Sequence, residues 1–288
     1  MGYVWAITAS IFYALYVVPR KFSRAAPEVY TYFVGLGFFA FAFLNFIIDG
    51  ASASFADVRL FATAGQGVAW AFGTILFMIG IDKVGLVKSR QWHRAIAYPG
   101  GILLSLLILR EHSVMNMFWF GLAFATVLIA ALLFTIREGE TVRELGRGIW
   151  FSIAAALVFS ICSPLQKIGA PADLHAQQLV FSASIFITIA LWLVVRRRPM
   201  GELLQIGRRD NLLAISGGVM YTFASIFTIQ AYRLMTASLA STILQLMSVW
   251  SILIGIIWFK EISWSRHKWR IVAGTVATVA AILLTLKV

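Results

Sequence analysis

The chain has 288 residues, 60% of them apolar and only 12% charged, with a mean hydropathy of +0.86. That leaves too little polar surface for a water-soluble fold of this size, since a soluble domain carries about twice that share of charge. The net charge of +12 would suggest nucleic acid in a soluble protein. Here the basic residues sit mostly at the ends of apolar stretches, where they orient membrane segments, and no basic-aromatic nucleic-acid motif accompanies them.

Apolar stretches long enough to span a bilayer cover 2–19, 28–48, 59–81, 86–109 and 114–135, then 148–165, 175–195, 212–231, 236–259 and 269–286. Each is predicted to be a helix, because in hydrocarbon only a helix or a closed barrel satisfies every backbone N–H and C=O. The alternating segments of ~10 residues that build a barrel are absent. The first stretch lacks a basic leader and reads as a retained helix, not a cleaved signal. The expected fold class is an all-α integral membrane protein with ten transmembrane helices, a multi-pass protein of a bacterial or archaeal plasma membrane.

Two halves emerge: a first five-helix repeat over 1–135 and a second over 148–288, joined by a polar loop at 136–147. Val18-Pro19-Arg20-Lys21, followed by Pro27, recurs as Ser163-Pro164-Leu165-Gln166-Lys167, followed by Pro171. Leu109-Arg110-Glu111-His112 recurs as Phe259-Lys260-Glu261-Ile262. Because five is odd, the second copy enters from the opposite side, which makes a 5+5 inverted repeat. In transporters that symmetry places the solute site near the midplane, between the halves. Of the 24 Lys and Arg, Arg59, Arg110, Lys167, Arg233 and Lys287 flank one side, Arg94 lies within a span, and the rest flank the other. The positive-inside rule then puts both termini outside the cytoplasm.

Polar and aromatic groups deep in the spans are the candidate site, because a buried amide needs a partner, a cavity or a ligand. Tyr13 and Tyr16 share a face just before the helix break at Pro19. Gln66, Trp70 and Thr74 follow one another at i, i+4 and i+8, and Tyr221, Ser225 and Gln245 are their counterparts in the second half. The fourth segment is unusual. It opens Lys88-Ser89-Arg90-Gln91-Trp92-His93-Arg94 and continues to Tyr98-Pro99-Gly100-Gly101. Gln91, Trp92, His93 and Arg94 join the solute-binding set. Lys88 and Arg90 are expected to snorkel to headgroups. Pro99, like Pro19 and Pro164, is expected to break its helix and serve gating. Asp82 is the expected internal partner of Arg94. Paired so, the site is neutral and suits a sugar; unpaired in a cavity, Arg94 favours phosphate or carboxylate.

No enzyme constellation is present: the carboxylates sit at segment ends, and no spacing sets a nucleophile beside a base. The single cysteine, Cys162, precludes an intramolecular disulfide, and the four histidines have no clustered Cys or Asp for a metal. No phosphate-cradling glycine loop appears, so neither ATP nor another cofactor is expected.

With those residues in hand, the chain resembles the drug/metabolite transporter superfamily over nearly its whole length. Within it, the pattern is similar to the glucose/ribose porter family. The carriers of that likeness are Val18-Pro19-Arg20-Lys21; Gly67-Val68-Ala69-Trp70-Ala71-Phe72-Gly73, with Thr74 where that family has Asn; Val84-Gly85-Leu86; Leu244-Gln245-Leu246-Met247; and Phe259-Lys260-Glu261. The resemblance implies a secondary transporter of ten helices. The function expected is alternating-access transport of a small polar metabolite, foremost a monosaccharide-like solute. The alternatives are an organic-anion or sugar-phosphate carrier, an amino-acid or drug exporter, and a non-transporting scaffold. The partners expected are the solute, the lipid bilayer, and a coupling proton or exchange substrate.

Overall fold

The computed structural model describes residues 1–50, 53–109, 116–136, 141–197 and 207–285. Among them the regular structure is helical, without a strand. The helices are α1 (Gly2–Leu15), α2 (Pro27–Asp49), α3 (Leu60–Leu109), α4 (Met117–Phe134), α5 (Val142–Ser160), α6 (Cys162–Gly169), α7 (Leu174–Val195), α8 (Arg208–Leu234), α9 (Ala237–Leu244), α10 (Leu246–Leu253) and α11 (Trp264–Thr285). A 3-10 turn, Val18–Phe22, follows α1, and a π turn, Ile254–Trp258, extends α10. By length and composition, nine helical stretches among the described residues can cross a membrane. Large apolar side chains such as Trp150, Val195 and Trp269 stand exposed around the outside, as a lipid-facing surface requires. The chain is a multi-pass membrane protein.

The fifty residues of α3 would run about 75 Å if straight, more than twice the hydrocarbon thickness. They do not run straight. Gly85 (φ 83°, ψ 168°) divides them into limbs 60–84 and 86–109. The rings of Phe77 and His93 lie 4.9 Å apart, although sixteen residues of unbroken helix would separate them by about 24 Å. The chain therefore doubles back at Gly85, a left-handed backbone position that glycine adopts without strain. The second limb begins on a carboxylate. Glu261 accepts the backbone N–H groups of Leu86 and Val87, each at 2.8 Å, and pairs with Lys21 at 2.8 Å. Those N–H groups have no partner within their own helix, and the helix dipole favours an anion there.

Three expectations change. Pro99 does not break its helix: Gly85 is the one non-helical residue in α3, and the second limb runs through Pro99 to Leu109. Gly100 beside it serves close approach, since a Cβ there would collide with the Ser160 side chain of α5. The linker expected at 136–147 is shorter, because α5 begins at Val142. Thr141 and Glu144 form a capping box that starts it there. Finally, Lys88 and Arg90 do not snorkel. They are 2% and 3% exposed, because the tight turn at Gly85 packs the start of the second limb against α5 and α10. Pro19 and Pro164 do mark breaks: α1 gives way to the 3-10 turn, and α5 gives way to α6. The repeat residues Arg110, Glu111 and His112 lie outside the described residues.

Candidate functional site

A cavity of about 140 Å³ sits between the two halves. Roughly 10–15 Å³ on this measure admits one water, so there is room for a small solute. One wall is aromatic. Tyr221, the middle residue of α8, lies 4.5 Å from the Trp70 ring, 5.1 Å from Tyr16 and 5.4 Å from Tyr13. Tyr13 and Tyr16 reach it together because residues three apart share a helix face.

Amides join the halves across the cavity. Gln66 donates to the Oε1 of Gln166 at 2.9 Å, a contact spanning 100 residues of sequence. Gln245 stands where α9 gives way to α10, and its buried Oε1 has no hydrogen-bond partner. Gln166 and Gln245 both sit where a helix is interrupted in the second half.

The third wall is cationic and comes from the second limb of α3. Arg90, His93 and Arg94 all line the cavity and are at most 5% exposed. Arg90 lies 4.6 Å over the Phe77 ring and donates to the Tyr13 carbonyl at 3.3 Å. His93 is held between the rings of Phe77 and Phe159, and neither ring nitrogen has a partner. Arg94 donates from Nη2 to the Thr278 carbonyl at 3.4 Å, while its Nε and Nη1 have none. Among the described residues, no Asp or Glu lines the cavity.

Asp82 does not neutralise Arg94. Its carboxylate holds Arg20 instead, accepting Nε at 3.0 Å together with Nη2. The hairpin explains why: Asp82 lies three residues before Gly85 and Arg94 nine after, so their depths differ by roughly 9 Å.

Of the residues expected to bind solute, the structure gathers Tyr13, Tyr16, Gln66, Trp70, His93, Arg94, Tyr221 and Gln245 around the cavity. Thr74, Gln91, Trp92 and Ser225 lie elsewhere. Thr74 is buried eight residues from Gln66, which turns it about 80° around the axis. Gln91 is buried with both amide atoms unpartnered. Trp92 donates to the Thr135 hydroxyl at 2.9 Å, and Ser225 pairs with Gln178 at 3.0 Å. Sequence reasoning did not place Arg90, Tyr98, Ser163 or Gln166 on the cavity. The repeat of the Pro19 motif around Pro164 was the signal for Gln166. Ser163 belongs to the same repeat, and Arg90 and Tyr98 to the unusual fourth segment.

The cavity's position between two sets of interrupted helices has the form of a transporter site. Residues 146–287 match the EamA-like transporter family. That family lies within the drug/metabolite transporter superfamily, and its members are transporters, not enzymes. The match does not single out the glucose/ribose porter family. A crystal structure of another protein superposes with a TM-score of 0.67 at 14% identity, covering 98% of this chain and 95% of that one. The two share a fold. No curated protein matches the chain.

Proposed function

We propose that this chain is a secondary transporter that moves a small polar solute across a plasma membrane by alternating access. In this reading α3 crosses twice, so the nine candidate spans become ten crossings, arranged as a 5+5 inverted repeat. The observation that carries it is the cavity. Polar groups are costly to bury in a membrane protein unless they bind something, and here amides from both halves and a histidine and two arginines of α3 converge on one space. A structural reason alone would leave those groups paired with one another.

The strongly basic side, which carries Arg20, Lys21 and Arg24 and the turn at Gly85, faces the cytoplasm. That side also carries the Arg20–Asp82 and Lys21–Glu261 pairs. A monosaccharide-like cargo drew on the porter resemblance and on a neutralised Arg94; the family match does not single out those porters, and Asp82 is committed to Arg20. Reconstitution into proteoliposomes tests the transporter reading. Labelled solute trapped inside must exchange with external solute faster than in protein-free vesicles. Equal rates across sugars, carboxylates, phosphates and amino acids refute it.

A further inference from the structure

We propose that the cavity is an anion site whose anchor is Arg94, so that the transported solute carries a carboxylate or phosphate group; this rests on the transporter reading above. Three observations combine. Arg94 cannot shed its charge at any physiological pH, and it is 1% exposed with Nε and Nη1 unpartnered. The one carboxylate within sequence reach, Asp82, is committed to Arg20. Arg90, on the same helix face four residues earlier, brings a second guanidinium to the same space, and no acidic residue among the described ones lines it to offset either.

The two arginines are not equivalent. Arg90 is already engaged by the Phe77 ring and the Tyr13 carbonyl, so it sets a positive field without being the open donor. Arg94 has one long contact to a carbonyl and two free donors, which makes it the group that meets the ligand. A guanidinium matches the oxygens of carboxylate and phosphate in a way an ammonium does not. The rings of Tyr16, Trp70 and Tyr221 would cover the body of the solute, and Gln245 Oε1 would accept a hydroxyl or amide proton from it. A buried charge left unpaired is unfavourable to the fold, so its retention fits a site completed by its ligand.

The test uses the full chain in phosphatidylcholine nanodiscs at constant ionic strength. Melting temperature is read with inorganic phosphate, succinate or glucose, and in discs containing phosphatidylglycerol. Wild type is expected to be stabilised by phosphate or succinate and not by glucose. Arg94→Met is expected to lose that response and to melt higher than wild type without ligand, because an unpaired buried charge has become apolar. Arg94→Lys is expected to bind at least tenfold more weakly. A response to glucose alone, to neither anion, or an equal response in wild type and Arg94→Met overturns the proposal. So does stabilisation confined to phosphatidylglycerol, which would make the anion a lipid headgroup. Radiolabelled phosphate or succinate exchange in proteoliposomes separates the two readings. Binding without exchange contradicts the transporter and leaves the site standing; exchange of glucose but neither anion does the reverse.

Discussion

Arg20 takes the carboxylate of Asp82, at 3.0 Å from Nε, and spends its Nη1 on the Ala25 carbonyl at 2.6 Å. The guanidinium is 4% exposed in its side chain and the carboxylate 38%, so the pair holds the Arg20 turn to α3 while its carboxylate stays partly open to water. Its consequence is negative for Arg94, which is left without an acidic neighbour on its own helix pair.

Independence of Asp82 and Arg94 is measurable. Asp82→Asn is expected to lower stability by about 1 kcal/mol, below the usual range for a charged hydrogen bond because the carboxylate is partly solvated. The double variant Asp82→Asn with Arg94→Gln should be additive within ~0.5 kcal/mol in a denaturation cycle. Rescue of Arg94→Gln by Asp82→Asn would show that the two residues are a pair after all.

Glu261 ties the carboxyl-terminal half to the start of the second limb of α3, through the N–H groups of Leu86 and Val87. Glu261→Gln removes the charge that favours the helix N-terminus and the Lys21 pair. A loss of about 1–3 kcal/mol is expected. Hydrogen exchange at Leu86 and Val87 should accelerate by tenfold or more while α7 is unchanged. Unaltered protection at those two amides would contradict the cap.

The Gln66–Gln166 bond should behave as a membrane-embedded hydrogen bond. In a double-mutant cycle to leucine the coupling is expected to be about 0.6 kcal/mol, and not above ~1.7. A coupling of zero would mean that each amide is already satisfied by a cavity water or solute.

Orientation has its own check. In a Cys162→Ala background, Arg59→Cys, in the exposed stretch before α3, should react with an impermeant thiol reagent in intact cells. Arg24→Cys, on the basic side, should react only after permeabilisation. The opposite pattern reverses the topology.

Much of the fold was legible in the sequence, because hydrocarbon forces each long apolar run into a helix and polar breaks mark the ends. The expected spans fall within nine helical stretches among the described residues, two of them sharing α3, and Pro19 and Pro164 stand at breaks. What could not be read comes from long-range geometry. Glu261 meets Leu86 across 175 residues, and nothing near either position announces it. Lys88 and Arg90 look like interfacial residues by distance from a span's end, but a one-residue turn leaves no loop in which they could reach water. Pro99 looks like a breaker locally, yet the limb around it stays helical against α5. The site divides the same way. Tyr13 and Tyr16, or Gln66 and Trp70, are neighbours on one helix and could be paired from spacing. Asp82 and Arg94 are neighbours in sequence but not in depth, and only the hairpin shows it.

The central claim is that the cavity opens alternately to each side, and Cys162 offers a native probe of it. This residue lines the cavity, is partly buried, and donates to the Gln66 carbonyl at 3.9 Å. The measurement is the rate at which an impermeant maleimide modifies Cys162 in oriented proteoliposomes, with reagent on one face and then on the other. Alternating access requires modification from both faces, slowed in each case by the anion that stabilises the protein. Modification from one face only, with no modification from the other under any solute condition, would show a static pit and contradict the account.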